Sequence, residues 1–303
     1  MSEARAAWMG LPREEHEFQF NPQRAFPNFK DAQEKRTAAN AKARSSLASH
    51  LDLPYGEHKL RRLDIFPTMS AERAAPVHIF VHGGYWRAQD KENFAFVATE
   101  LVPCGITTVV VNYELCPGST LDLVADSALA AIEWASQHVA EYGGDPRRIS
   151  LLGHSAGAHL CAVGLAADWR ARGIDPSFIR GAVLVSGIFD PAPAMHTTVN
   201  ADLHLTPEIV ARHDVERRVL TVDCPVSVLA GGLEPWMWID QSFRYSHHLR
   251  RQGRDPEMLV QPGYTHFDII DQYLEAESPL LLAVLRMAGP LSNVRLTSKP
   301  AVS

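Results

Sequence analysis

No stretch of this 303-residue sequence approaches the roughly 18–20 consecutive apolar residues needed to cross a bilayer, so no membrane span is expected. The N-terminus, MSEARAAWMGLPREEHEF, lacks an apolar stretch and carries acidic residues early, unlike a secretory signal. The expected location is the cytoplasm. The net charge of -6 is spread along the chain, with no run of Lys or Arg, which argues against nucleic acid as a partner. The four cysteines, Cys104, Cys116, Cys161 and Cys224, form no C-x-x-C pair, so zinc-knuckle and redox-motif readings lack support. Cys161 falls in a predicted helix and Cys224 just before a predicted strand, and both read as small buried residues. The fourteen histidines show no zinc-ligand spacing, and no metal or cofactor is expected. Internal repeats and low-complexity segments are also missing.

What is present is ordinary globular composition, able to bury a large core. Residues 1–30 are Pro- and Phe-rich with little periodicity. Residues 31–50, rich in Ala and charge, read as a helix. This front end of about fifty residues is expected to be a partial cap over a site or a packed extension. From residue 58 strands and helices alternate. Strands are expected at HKLRRLDIF, VHIFVHGG, ITTVVVNYEL, RISLLGHS, GAVLVSGIF, VSVLAGG and EMLVQPG. Helices are expected near 89–103, 121–142, 156–171, 240–252 and 279–288, with one more starting near Phe267. The 121–142 helix should stop at Gly143-Gly144. Short apolar, β-branched runs alternating with helices specify an α/β fold with a doubly wound, mostly parallel sheet. Residues 191–222 break the rhythm and read as a lid or cap insertion. The main domain is then 51–290, with a short tail at 291–303.

Gly153-His154-Ser155-Ala156-Gly157 fits G-x-S-x-G. The pentapeptide is common, but here it follows the strand ISLL directly and opens a helix, which is the setting of a nucleophile elbow. So tight a turn strains the serine backbone and leaves no room for side chains two residues either side. Ser155 is thus the candidate nucleophile. His82-Gly83-Gly84-Tyr85-Trp86 ends an earlier apolar strand. Its glycines can aim backbone N–H groups at a carbonyl oxygen as it becomes negative, together with the N–H of Ala156. Gly83, Gly84 and Ala156 form the candidate oxyanion hole, with Gly84 and Tyr85 as the other pairing of loop donors, and His82 reads as a residue that shapes this loop. Tyr85 and Trp86 are candidate pocket residues, with a core position behind the loop as the other reading of Trp86.

In such a fold the acid and then the histidine follow the nucleophile along the chain. His266, in Tyr264-Thr265-His266-Phe267-Asp268 after the last core strand, is the one histidine in the right place. His247 and His248 lie mid-helix, and His196, His204 and His213 lie in the insertion. Glu234, three residues after Gly231, is the candidate acid, with Asp240 and Asp190 as rivals. A carboxylate there would accept the Nδ1–H of His266 and fix its tautomer. Activity would then rise through a pKa near 7, as the imidazole must be neutral to act as base.

HGGYW, GHSAG and the closing YTHFD resemble the kynurenine formamidase (arylformamidase) branch of the α/β hydrolases, close to the hormone-sensitive-lipase-like esterases. The resemblance spans roughly residues 50–290 and includes LDLPYGEHKLRRLDIFP and Gln241-Ser242. It implies Ser155 as nucleophile, His266 as base and an oxyanion hole near Gly83, Gly84 and Ala156. It puts Glu234 where the family usually carries Asp. The bulky Trp236-Met237-Trp238 segment that follows either lines the pocket or packs under the next helix. The expected function is acyl-serine hydrolysis of a small amide, with a short-chain ester as the alternative substrate. An inactive hydrolase fold that only binds a ligand is the reading from a different class. The apolar PLLLAVLRMAG helix is expected to pack on its own core or across a homodimer.

Overall fold

The computed structural model describes residues 7–27, 29–68 and 74–289. Its frame is one eight-stranded sheet: β1 (His50–Pro54), β2 (Arg62–Phe66), β3 (Ala75–Val81), β4 (Thr107–Val111), β5 (Gly144–His154), β6 (Ile179–Val185), β7 (Val226–Gly231) and β8 (Glu257–Gln261). The spatial order is β1-β2-β4-β3-β5-β6-β7-β8. The first two strands are antiparallel to their neighbours, and β4 through β8 pair in parallel.

The helices are α1 (Arg13–Phe20), α2 (Pro22–Ala25), α3 (Phe29–Ser46), α4 (Ala98–Leu101), α5 (Leu121–His138), α6 (Ala156–Leu165), α7 (Asn200–Leu203), α8 (Pro207–His213), α9 (Trp236–Arg251) and α10 (Pro279–Ala288). Thr120 caps α5, and a 3₁₀ turn carries the chain on to Gly143, whose φ of +80° ends the helical run. The expected 89–103 helix is mostly a 3₁₀ segment, Lys91–Val97, followed by the short α4.

Central strands are apolar on both faces because both are covered. Val77, Ile79, Val81, Leu151 and Leu184 join residues of α5 and α6 on one side. Phe80, Val110, Leu152, Val183 and Leu229 join Leu280, Leu281 and Val284 of α10 on the other. The apolar C-terminal helix therefore packs on its own core. Among the described residues, no helix is long and apolar enough to cross a membrane.

Three elements depart from expectation. The front end contains α1 and α2 as well as α3, although its sequence carries little periodicity. Tertiary bonds hold α1 in place: Pro193 O accepts from His16 Nε2 at 2.9 Å, and Glu17 accepts from Thr198 N at 2.9 Å. The strand expected at 58–66 begins only at Arg62, and the edge strand β1 precedes it. The helix after the elbow ends at Leu165, because the chain turns there and Trp169 folds back to donate to Gly164 O.

Candidate active site

Parallel strands deliver their C-terminal ends to one edge of the sheet, and the candidate residues follow those ends. Ser155 sits between β5 and α6 at φ +56°, ψ -118°, a backbone costing a non-glycine residue roughly 1–3 kcal/mol. The elbow glycines are required by contact. A Cβ on Gly153 would lie 2.1 Å from Gly157 O, and one on Gly157 would lie 2.0 Å from Val81 O. Only glycine lets α6 start this close to the end of β3.

Ser155 Oγ is 3.0 Å from His266 Nε2, and His266 Nδ1 is 2.7 Å from Glu234 Oε1. All three residues are buried. The other carboxylate oxygen, Oε2, accepts from Gly231 N at 3.2 Å. The acid loop is zipped to the histidine loop, with Gly232 N donating to Gln261 O and Leu233 N to Tyr264 O. A Cβ on Gly231 would stand 2.5 Å from Tyr264 O, so the approach depends on that glycine. The rival carboxylates are engaged elsewhere. Asp240 pairs with Arg244 at 3.0 Å, and Asp190 lies 3.7 Å from the same guanidinium and caps Ala192 N. Neither is hydrogen-bonded to His266.

Burial disfavours both charged partners. It holds His266 below the ordinary histidine range and pushes Glu234 above the ordinary carboxylate range, with the nearby Asp268 charge adding to the rise. The arrangement consistent with both is a neutral imidazole with its proton on Nδ1, donated to Glu234, and a free lone pair on Nε2 toward Ser155.

The glycine loop lies beside the elbow. Gly84 has φ +112°, and a Cβ there would come within 2.2 Å of Ala88 O. Among the described residues, neither the Gly83 nor the Gly84 N–H has an acceptor within the chain. His82 is buried between Tyr113 and Phe94, with Nδ1 2.7 Å from Gly83 O, so it braces the loop. Burial also keeps His154 neutral, and its Nε2–H donates to His266 O at 2.8 Å, tying elbow to histidine loop.

A cavity opens over Ser155 and His266. Gly83, Gly84, Tyr85 and His154 form its floor, with Phe29, Phe94, Phe267 and Ile270 on its apolar side. Asn21, Gln23, Gln33, Arg36, Arg87 and Gln89 supply polar groups. The covering residues come from the segment 21–36; residues 191–222, expected as a lid, contribute none of the lining. Arg36 reaches across to bond Asp271 and Phe267 O, fastening α3 to the histidine loop.

Of the four aromatic pocket candidates, only Tyr85 lines this cavity, with its hydroxyl donating to Phe20 O at 2.8 Å. Trp86 is fully buried behind the loop against His159. Trp236 is 57% exposed at the start of α9. Trp238 is buried and sets its ring at 77° to His266, centroids 4.8 Å apart. Helical spacing explains the difference, since residues 236 and 238 project from α9 in different directions. Phe29, Gln33, Arg36 and His154 were not singled out from sequence. His154 stood inside the recognised pentapeptide, whereas the front-end residues carry no motif.

With that geometry in place, comparison with known proteins gives the class. Residues 78–268 match the family model described as the alpha/beta hydrolase fold, and the chain belongs to this family of hydrolases. The chain is 31% identical to kynurenine formamidase of Danio rerio, over 93% of this chain and 98% of that protein. It is 28% identical to kynurenine formamidase of Drosophila melanogaster, over 73% and 75% of the two chains. Among solved structures, a putative thioesterase from Silicibacter sp. superposes with a TM-score of 0.79 at 25% identity, covering 88% of this chain and 97% of that one. The esterase of Pyrobaculum calidifontis shares the fold, with a TM-score of 0.68 at 19% identity, over 86% and 92% of the two chains.

Proposed function

We propose that this serine hydrolase cleaves the N-formyl group of an aryl amine through an acyl-enzyme. Ser155 is the nucleophile, His266 the general base and Glu234 the acid that orients it. The carrying observation is the continuous relay from Ser155 Oγ to Nε2 at 3.0 Å and from Nδ1 to Glu234 at 2.7 Å, at the floor of a cavity flanked by Phe29, Phe94 and Phe267.

His266 takes the Ser155 proton as Oγ attacks the formyl carbon. The N–H groups of Gly83, Gly84 and Ala156 receive the oxyanion; one such donor is worth about 3 kcal/mol in the transition state. His266 then protonates the leaving nitrogen, the C–N bond breaks, and the aryl amine departs. Water, deprotonated by the same imidazole, attacks the formyl-serine, and formate leaves as Ser155 regains its proton. Helices α1–α3 act as the cap that shields these steps from bulk water. The four free thiols suit a reducing compartment, and the cytoplasm is the proposed location.

Short-chain ester hydrolysis is the second reading, favoured by the esterase among the structural neighbours. The test is kcat/KM measured side by side on N-formylkynurenine, an aryl acetamide and p-nitrophenyl acetate, with Ser155→Ala as blank. A strong preference for the formamide supports the proposal. Activity confined to the activated ester selects the second reading. An enzyme unlabelled by a fluorophosphonate would be an inactive binding fold instead.

A further inference from the structure

The corner where β6 ends bears on every member of the relay, on His266 through the Trp238 ring. Ser186, the next residue, is fully buried and holds φ at +51°, a left-handed backbone unfavourable for a residue with a Cβ. It follows the end of β6 just as Ser155, which has a similar positive φ, follows the end of the adjacent β5. Such strain persists where surrounding bonds over-determine it, and here they do. Val185 O accepts from Ser155 N at 2.8 Å. Ser186 N donates to Leu229 O at 2.7 Å, on the strand that leads into Glu234. Ser186 O accepts from the Trp238 indole N–H at 2.9 Å, the ring that leans on His266. Its hydroxyl lies against the Glu234 carboxylate, buried and without a completed hydrogen bond of its own.

We propose that Ser186 is a positioning residue for the hydrolytic reaction, its carbonyl fixing Trp238 against His266 and its hydroxyl donating to the Glu234 carboxylate as charge builds on the imidazole. This rests on the reading of Glu234 as the acid. The chemistry of the carboxylate calls for such a donor. Two oxygens offer about four lone-pair sites, and Glu234 fills two of them, with His266 Nδ1 and the 3.2 Å contact from Gly231 N. The groups that bear on its charge are His266, which it faces at 2.7 Å, the Gly231 N–H, Asp268 on the histidine loop, and this hydroxyl. Asp268 opposes ionisation, and Ser186 favours it. A glutamate reaches one methylene further than an aspartate, and a donor from β6 holds that longer arm in one rotamer. Withdrawing the Oγ–H weakens the ionised carboxylate, so the pair takes up a proton at higher pH.

The experiment compares Ser186→Ala and Ser186→Gly with the wild type on p-nitrophenyl acetate, measuring kcat, KM and the pH profile of kcat/KM. Thermal melts are recorded, and Glu234→Gln and Ser155→Ala are run in parallel. A lost hydrogen bond to a charged group predicts a fall in kcat of roughly 10- to 100-fold, with KM little changed. The acidic limb should move to higher pH in both variants. Ser186→Gly relaxes the backbone, so its Tm should hold or rise while kcat stays low, which separates positioning from folding. A folded variant with wild-type kcat and an unmoved limb, alongside an inactive Glu234→Gln, overturns the role of Ser186 alone. A Glu234→Gln that stays active while Ser155→Ala is dead overturns the acid assignment, and the role of Ser186 with it.

Discussion

Glu234→Gln keeps the volume and shape of the proposed acid and removes only its charge. The two bonds to the carboxylate then conflict. Oε1 accepts from His266 Nδ1 at 2.7 Å, and Oε2 accepts from Gly231 N at 3.2 Å. A glutamine has one acceptor oxygen for these two donors. If the oxygen turns to Gly231, the NH₂ faces Nδ1 and forces the proton onto Nε2, where it points at Ser155 and blocks its deprotonation. If the oxygen turns to His266, the NH₂ opposes the Gly231 N–H, and a buried unsatisfied donor costs about 1–3 kcal/mol. In both cases the imidazolium formed during attack loses its counter-charge. The analogous acid-to-amide change in a serine triad lowers kcat about 10⁴-fold through the wrong tautomer. We therefore expect a fall on the order of 10³–10⁴-fold in kcat, or about 4–5.5 kcal/mol. Turnover of p-nitrophenyl acetate checks this. Asp240→Asn and Asp190→Asn serve as comparisons and should stay within about twofold, since Arg244 engages both carboxylates. A Glu234→Gln enzyme retaining more than a tenth of wild-type kcat would refute the reasoning.

Gly157→Ala drives a methyl into Val81 O, so its Tm should drop by several degrees in a thermal melt, in keeping with overpacking of roughly 1–3 kcal/mol. Tyr85→Phe removes the bond to Phe20 O at the cavity wall and should raise KM roughly 3- to 10-fold, whereas Trp236→Ala, on the surface, should leave kcat/KM within about twofold. The acidic limb of kcat/KM should lie below the ordinary histidine pKa rather than near 7, because burial lowers His266; a limb at or above 7 in a pH profile would contradict this. Buried His78 and His159, both lowered to about 3, stabilise the fold fully above the unfolded histidine pKa and lose that contribution as pH falls. At pH 5 each should cost about 2 kcal/mol, visible as a reduced denaturation midpoint against pH 7.5.

The sheet was legible because its central strands are buried on both faces, which writes them as short apolar runs between helices. The elbow was legible because the turn leaves no space for a Cβ at residues 153 and 157. His266 and Glu234 followed from chain order and strand ends, and the structure brings both to Ser155. What escaped was set by contacts distant in sequence. α1 is a helix because His16, Glu17 and Gln19 bond residues 193, 198 and 237, none of which leaves a periodic signature. β1 pairs only with β2 at the sheet edge and is largely exposed, so its residues need not be apolar. Arg36 reads as one more surface charge on an Ala-rich helix until the fold sets it beside Asp271 and Phe267. Trp86 could not be assigned to pocket or core, because the loop's positive φ values at Tyr85 and Trp86 decide which ring turns inward.

Precision at this site comes from the loops being bonded to one another more than from any single side chain. The Ser155 N–H is held by Val185 O, the acid loop by Gln261 O and Tyr264 O, and the His266 carbonyl by His154. Each anchor lies on a strand end or on an adjoining loop, so the sheet register sets the relay distances. Burial removes the water that would otherwise compete for these bonds, at the expense of disfavouring charge on both His266 and Glu234. A buried acid–base pair functions only if donors around the carboxylate compensate for the lost solvation. The 3.2 Å bond from Gly231 is long for that purpose. The unfilled hydroxyl of Ser186 is the group positioned to complete the shell, which makes the corner of β6 as much a part of the site as the residues that meet substrate.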